Sequence, residues 1–190
     1  MEELQHECGI AALYHFPGDT CSPLVPGGDP RTVTQLMPRM LIDLQNRGQL
    51  AAGFTSYQQE REVILETYKE IGTVIEAFRL NRHEKAKKIM QEHAGSACIG
   101  HVRYATCGDN TRSYAQPFER RHGCKWKWFS FAFNGQLANF AQLRDELLAM
   151  SDYHLTRNND TEVLMHYIAH EHRGDHPPDL LEVFRHLSKK

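Results

Sequence analysis

The distribution of hydrophobic residues along the chain predicts a set of β-strands. At Cys8 the sequence turns abruptly from polar to apolar, which indicates a first buried strand that runs to Tyr14. Residues 96–99 are small and apolar and precede polar positions, so they indicate the end of another buried strand. Further strand patterns cover residues 51–55, 62–68 and 125–133, and the last is the strongest in the chain.

Apolar residues at helical spacing predict several helices. Asp29 is suited to cap a helix whose first residue is Pro30. Pro38 then introduces a kink or a second start, and Gly48 terminates the helix. Asp160 is the predicted N-cap of a later helix. Further helical patterns cover residues 82–93, 140–150, 161–172 and 179–187.

The order of these elements and the composition restrict the class of protein. Strands that lie before and between helices, without a βαβ rhythm, predict the α+β fold class. A length of 190 residues suits one domain with a buried core. A formal net charge of −2 argues against nucleic acid as a partner, and no apolar run approaches the roughly 18 residues of a membrane span. Five cysteines without a CxxC pair favour a reducing, cytoplasmic compartment and argue against a disulfide framework or a metal site.

Polar residues interrupt the apolar pattern at points where sheet proteins often build ligand sites. Arg103 follows a buried strand and stands beside hydroxyl side chains and a glycine, which places a fixed positive charge at a strand end. Asn134 and Gly135 directly follow the strongest strand pattern. Taken alone, each feature has an ordinary explanation: a surface arginine, a turn, a helix cap at Asp160 and a small core residue at Cys8. A chemical role is predicted only when they are considered together.

Six motifs lie in order along most of the chain: residues 8–10 (CGI), 44–49 (LQNRGQ) with 52–53 (AG), 100–106 (GHVRYAT), 115–118 (AQPF), 134–139 (NGQLAN) and 160–162 (DTE). Together they resemble the class II glutamine amidotransferase domain, an N-terminal-nucleophile hydrolase, and within it the glutaminase half of amidophosphoribosyltransferases. The resemblance implies a four-layer αββα sandwich. In the family, further strands follow the helix that corresponds to residues 179–187, so the last strands of the sandwich are expected to be missing here.

The resemblance implies that Cys8 is the nucleophile. Its sulfur would attack the side-chain amide carbon of glutamine, form a glutamyl thioester and release ammonia. The side-chain amide of Asn134 and the N–H of Gly135 would face the developing oxyanion. In this family the base is the α-amino group of the cysteine itself, which requires Cys8 to be the first residue. We therefore expect residues 1–7 to be a propeptide and residues 8–190 to form a glutamine amidotransferase type 2 domain.

The resemblance also assigns residues to the charged ends of glutamine. Arg103 would bind the substrate carboxylate through a planar guanidinium fork that lysine cannot copy. Asp160 would receive the substrate ammonium group, and Thr106 would add a hydrogen bond. Three further residues are expected either to support the site from behind the substrate or to be structural: Arg47, Gln49 and Tyr104.

The same resemblance implies no cofactor or metal in this domain, an ammonia-accepting synthase domain or subunit as partner, a role in purine biosynthesis and an oligomeric assembly. Two alternatives stay open. A free-standing amidohydrolase of the same fold would act on another amide, although Arg103 and Asp160 together fit an amino-acid head group. A non-catalytic module that retains residues 1–7 would sense glutamine or bind a partner protein.

Overall fold

A computed structural model describes residues 8–18, 20–104, 111–150 and 152–190. These residues belong to two compact units. The first comprises the chain up to Glu119 together with Ser130–Asn134, and the second comprises Arg120–Phe129 and Gly135–Lys190. All strands of the main sheet belong to the first unit.

The main sheet has four strands, and every neighbouring pair is antiparallel. The strand predicted from Cys8 to Tyr14 is confirmed, and the strand whose end the sequence indicates near residue 99 continues to Arg103. The continuation carries the polar part of the third motif onto the sheet. The strands are β1 (Gly9–Tyr14), β2 (Ala51–Tyr57), β3 (Leu65–Ile71) and β4 (Ala97–Arg103), in the order β1-β4-β2-β3.

Short helical segments connect β1 to β2. A 3₁₀ helix (Pro30–Leu36) begins after Asp29, whose carboxylate accepts a hydrogen bond from the N–H of Arg31 at 3.0 Å. Helix α1 (Met37–Asp43) follows, with Pro38 in its first turn. The predicted capped start and the predicted second start are therefore both confirmed.

One face of the main sheet carries the hydrophobic core of the first unit. Val102 of β4 packs there with Met37 of α1. Gly100 lies on the same face, and a Cβ at this position would force the buried Met37 side chain to move. Because successive strand residues point to opposite faces, His101 and Arg103 project from the other face. Helices α2 (Val74–Ala77) and α3 (His83–Glu92) connect β3 to β4.

The regular structure described in the second unit is mainly helical: α4 (Phe140–Ala149), α5 (Asp160–Glu171) and α6 (Leu180–Leu187). The three helical patterns that the sequence shows in this region are confirmed to within a few residues. Tyr167 of α5 and Leu143 of α4 share a buried cluster, and the tyrosine hydroxyl donates to the Leu143 carbonyl at 3.1 Å. Burial of apolar side chains therefore holds α4 against α5, and one buried hydrogen bond fixes their register.

A second, two-stranded sheet contains β5 (Phe118–Arg120) and β6 (Phe129–Phe131). The prediction of one strand over residues 125–133 is confirmed only for Phe129–Phe131: Lys125–Lys127 forms a 3₁₀ turn, and residues 132–133 lie beyond the end of the strand. The indole N–H of Trp128 donates to the carbonyl of His122, so the tryptophan side chain is held by its own loop. Such local hydrogen bonds compete with strand pairing, and the alternation of apolar residues does not reveal them.

The mixture of strands and helices confirms the predicted α+β class. Within the described ranges, no helix combines the length and the apolar character that a bilayer-spanning segment needs.

Candidate active site

Cys8 stands at the entrance to β1 and contacts the end of β4. The antiparallel pairing of β1 with β4 begins at Gly9 and Val102, and extending the same register by one position sets Cys8 opposite Arg103. The Cys8 thiol lies 3.5 Å from the carbonyl oxygen of Tyr104, to which it donates, and the N–H of Tyr104 donates to the Cys8 sulfur at 3.4 Å. The sheet therefore brings three predicted site residues together through backbone geometry, although they are far apart in the sequence.

The loop that carries Arg47 packs directly against this strand end. The Arg47 side chain donates through Nε to the Cys8 carbonyl at 3.3 Å. Gly48 has an extended backbone (φ −162°), so it is not the left-handed helix terminator that the sequence suggests. A Cβ on Gly48 would lie 2.5 Å from the carbonyl carbon of Arg103 and 2.8 Å from the Tyr104 nitrogen. Glycine is required there because the loop backbone touches the site backbone.

Arg103 is the last residue of β4 and is only 5% exposed. Its guanidinium carbon lies 5.5 Å from the centre of the Tyr114 ring, a distance at which a cation is attracted to the aromatic face. Burial and stacking on the Tyr114 ring limit the rotamers of the side chain, so the direction of the planar guanidinium is restricted.

Asn134 and Gly135 follow β6 after two intervening residues, and both are exposed. Asn134 belongs to the first unit, whereas Gly135 begins the longer segment of the second. The backbone just before Asn134 is fixed, because Phe133 is hydrogen-bonded through both its N–H and its carbonyl to the side chain of Gln116. Sequence reasoning places Gln116 in a motif but assigns it no role.

His101 is a second residue that sequence reasoning leaves without a role. It lies on the same face of β4 as Arg103 and is completely buried. Burial is the main reason why the pKa of the imidazole is lowered to about 4; the Arg103 charge acts in the same direction, and the nearby Phe133 carbonyl acts in the opposite one. The ring is therefore neutral at physiological pH, and neither nitrogen has a well-formed hydrogen bond to a described residue.

Asp160 is the first residue of α5 and is 9% exposed. The prediction that Asp160 caps this helix is wrong: the cap is Asn159, whose side-chain oxygen accepts the N–H of Glu162 at 2.9 Å. The Thr161 hydroxyl donates to the Asp160 carboxylate at 3.3 Å. Because Asn159 supplies the cap, the Asp160 carboxylate remains available for another role.

Glu162 fixes the loop that leads into α5. Its carboxylate is 2% exposed and accepts the N–H and the hydroxyl of Thr156, at 3.0 and 2.6 Å, and the N–H of Arg157 at 2.5 Å. A buried carboxylate that accepts several donors holds its loop firmly. Glu162, the last residue of the last sequence motif, therefore has a structural role within the second unit.

The remaining predicted residues are only partly described. Gln49 is exposed in the loop after the 3₁₀ turn Gln45–Arg47. Thr106 and the predicted propeptide, residues 1–7, lie outside the described residues. Their roles stay predictions.

Among the described residues, four cysteines are found and none forms a disulfide with another described residue: Cys8, Cys21, Cys98 and Cys124. Burial raises the pKa of the Cys98 thiol to about 12, so Cys98 is a poor competitor for a role as nucleophile. In the same part of the chain, no three His, Cys, Asp or Glu side chains converge as metal ligands would.

Comparison with known proteins identifies the family. A family model described as "Glutamine amidotransferase domain" matches residues 81–181. The chain is 37% identical to the amidophosphoribosyltransferase of Pseudomonas aeruginosa over 141 residues, 73% of this chain and 25% of that protein. It is 27% identical to the amidophosphoribosyltransferase of Methanothermobacter thermautotrophicus over 194 residues, 99% of this chain and 34% of that protein.

A solved structure, described as that of the allosteric regulatory enzyme of purine biosynthesis, superposes with a TM-score of 0.70 at 27% identity. The match covers 96% of this chain and 33% of that enzyme. The chain thus spans between a quarter and about a third of the length of these relatives. From the extent of the family match and the identity to these relatives, the chain belongs to the glutamine amidotransferase domain family.

Proposed function

We propose that this chain hydrolyses the side-chain amide of glutamine to glutamate and ammonia, with Cys8 as the nucleophile. One observation carries the proposal: in a chain of this family, the Cys8 sulfur lies against the backbone of Tyr104, the residue that directly follows the buried Arg103. A nucleophile beside a fixed cation is the arrangement that an amino-acid amide requires, because the cation binds the carboxylate end while the sulfur attacks the amide carbon.

In the proposed reaction, the Cys8 sulfur adds to the amide carbon, the C–N bond breaks and ammonia leaves. Water then hydrolyses the glutamyl thioester to glutamate. The base is the α-amino group of Cys8, which titrates at about 7.7–8.0 when free and is therefore partly neutral near physiological pH. An amide nitrogen cannot act in this way, so the proposal includes removal of residues 1–7.

The other predicted residues complete the proposed site. Arg103 holds the substrate carboxylate, and its burial and stacking on Tyr114 support this role. Asp160 receives the ammonium group. This role is supported by the helix cap at Asn159, because the Asp160 carboxylate is not needed to cap α5. Asn134 and Gly135 donate to the oxyanion and Thr106 adds a hydrogen bond, in keeping with the resemblance.

Arg47 is proposed to hold the nucleophile from behind, because its side chain donates to the Cys8 carbonyl. Tyr104 is proposed to do so through its backbone, which brackets the sulfur. Gln49 is proposed to support the same loop.

We also propose the setting of the reaction. The ammonia would pass to a synthase domain or subunit of the amidophosphoribosyltransferase type, as the names of the relatives suggest. A four-layer αββα sandwich, an oligomeric assembly, the lack of a cofactor in this domain and a cytoplasmic location belong to the same proposal.

The test compares two forms of the chain, one that begins at Cys8 after cleavage of a removable fusion partner and one that begins at Met1. Ammonia release is measured with glutamine and with asparagine. The proposal predicts that the form beginning at Cys8 hydrolyses glutamine in strong preference to asparagine and that the longer form is inactive. Equal hydrolysis of both amides would indicate a different amidohydrolase. Glutamine binding without hydrolysis by the form beginning at Cys8 would indicate a sensing module.

A further inference from the structure

The side chain of Gln116 holds the backbone of Phe133 with two hydrogen bonds. Its Nε2–H donates to the Phe133 carbonyl at 3.1 Å, and its Oε1 accepts the Phe133 N–H at 2.7 Å. Gln116 is 7% exposed, so both bonds are shielded from water and are costly to lose. Only a carboxamide, or a protonated carboxylic acid of the same length, offers a donor and an acceptor in this geometry.

Gln116 is itself firmly anchored. The ammonium group of Lys69 donates to the carbonyls of Ala115 and Pro117, at 2.6 and 3.2 Å, one on each side of Gln116. On β2, a Cβ at Gly53 would lie 2.5 Å from the Gln116 carbonyl oxygen, so the main sheet touches the Gln116 backbone directly. The main sheet therefore fixes the backbone from which the Gln116 side chain extends.

The consequence falls on the next residue along the chain, Asn134. The Phe133 carbonyl and the Asn134 N–H belong to one planar peptide group, so a hydrogen bond to that carbonyl sets the orientation of the plane that leads into Asn134. Asn134 is exposed and three residues beyond the end of β6, where backbone is ordinarily mobile. A donor must already point at the oxyanion position if it is to stabilise charge there.

We infer that Gln116 is a positioning residue that orients Asn134 for the oxyanion of the amide hydrolysis. The inference rests on the proposed function, because it takes Asn134 as an oxyanion donor. Gln116 does not touch the substrate. It acts through the Phe133–Asn134 peptide, so its loss misdirects a donor that matters more in the transition state than in the bound ground state.

The test uses Gln116→Leu, Gln116→Glu and Ser130→Ala in the form that begins at Cys8. Gln116→Leu removes both hydrogen bonds, and we expect kcat to fall by about 10- to 100-fold while KM for glutamine stays within about threefold. Ser130→Ala is the matched control: the Ser130 hydroxyl lies within hydrogen-bond distance of the Thr55 hydroxyl and the Phe118 carbonyl, so it supports the same strand through partners other than Phe133. This control should keep the parent kcat.

Gln116→Glu separates positioning from general support. When ionised, the glutamate lacks the donor; when protonated, it offers both a donor and an acceptor. The ratio of variant kcat to parent kcat should therefore rise as the pH falls. Taking the ratio cancels the titration of the base, which both proteins share. A kcat unchanged in Gln116→Leu, or a loss explained entirely by a smaller folded fraction, would overturn the inference.

The NMR signal of the Asn134 backbone amide gives a readout that does not depend on turnover. In Gln116→Leu it should shift and broaden, whereas in Ser130→Ala it should match the parent. If the parent releases no ammonia, the proposed function fails, and the NMR comparison still decides whether Gln116 orders Asn134. An unchanged Asn134 signal would overturn the positioning role itself.

Discussion

The sulfur of Cys8 lies 3.4 Å from the amide nitrogen and 3.5 Å from the carbonyl oxygen of Tyr104, two residues separated by nearly a hundred positions in the chain. The antiparallel pairing of β1 with β4 produces this contact. The N–H that donates to the sulfur would stabilise negative charge on it when the proton leaves. The position of the Cys8 sulfur therefore depends on the backbone at the end of β4, and the first prediction concerns a contact that holds this backbone.

Replacing Gly48 with alanine should distort the site. The new Cβ would lie 2.5 Å from the carbonyl carbon of Arg103. Because the atoms around it belong to the backbone, the backbone itself would have to shift to make room. We expect Gly48→Ala to lower the free energy of unfolding by about 1–3 kcal/mol, the usual cost of overpacking, in urea-induced unfolding. Gly18→Ala is the matched control, since a Cβ there meets no atom within 4 Å. Equal stability of the two variants would contradict the described contact.

Arg103→Lys should weaken glutamine binding although the charge is kept. Lysine cannot reproduce a bidentate fork, and the loss of one charge-assisted hydrogen bond corresponds to about 10- to 100-fold in affinity. Arg121→Lys provides a control, because Arg121 also stacks on an aromatic ring, that of Trp128, but belongs to the second unit. Calorimetric titration with glutamine measures both variants. A Kd that is unchanged in Arg103→Lys would remove Arg103 from the substrate carboxylate.

Asn159 and Asp160 allow helix capping to be separated from substrate binding. Asn159→Ala removes the cap of α5 and should cost about 1 kcal/mol of stability with little effect on glutamine affinity. Asp160→Asn keeps the cap and should weaken glutamine binding by about 10- to 100-fold, because a charged partner of the ammonium group is lost. Unfolding and titration on both variants test the pair. The reverse pattern, with affinity lost only in Asn159→Ala, would show that Asp160 does not bind the substrate.

His101 should make the protein less stable in mild acid. Burial lowers its pKa from 6.5 to about 4, so the folded state resists a proton that the unfolded chain accepts. The stabilisation that comes from keeping His101 neutral is fully present above its unfolded-state pKa of 6.5 and is lost progressively as the pH falls towards 4. Between about pH 8 and about pH 5, His101 is expected to lower the free energy of unfolding by about 2 kcal/mol.

His101→Leu removes this contribution, so its stability should fall less than that of the wild type over the same range. Urea-induced unfolding of both proteins at the two pH values provides the comparison, in which the other titrating groups cancel. Identical pH dependence would mean that His101 is protonated as readily in the folded protein as in the unfolded chain.

Local sequence signals predict much of the fold. The start of β1 at the polar-to-apolar change, the cap at Asp29 and the second helix start at Pro38 all depend on neighbouring residues, and all are found. The cap of α5 is misassigned by one position because Asn159 and Asp160 are both good caps, and only the hydrogen bond to Glu162 distinguishes them.

Long-range contacts could not be predicted in this way. The sequence predicts that Gly48 terminates a helix. In the structure glycine is required there because the backbone of Arg103, 55 residues later in the chain, lies against it. Gln116 and His101 owe their environments to packing between segments that are distant in the sequence. The periodicity of apolar residues does not show which distant segments pack together. The resemblance to a family identifies the motifs but not the contacts between them.

The most direct test of the proposed chemistry is ammonia release from glutamine by Cys8→Ala in the form that begins at residue 8. Alanine at this position keeps the α-amino group and the strand but removes the sulfur. We predict that ammonia release is abolished, while calorimetric titration finds glutamine binding largely intact. Ammonia release at the parent rate would contradict the assignment of Cys8 as the nucleophile.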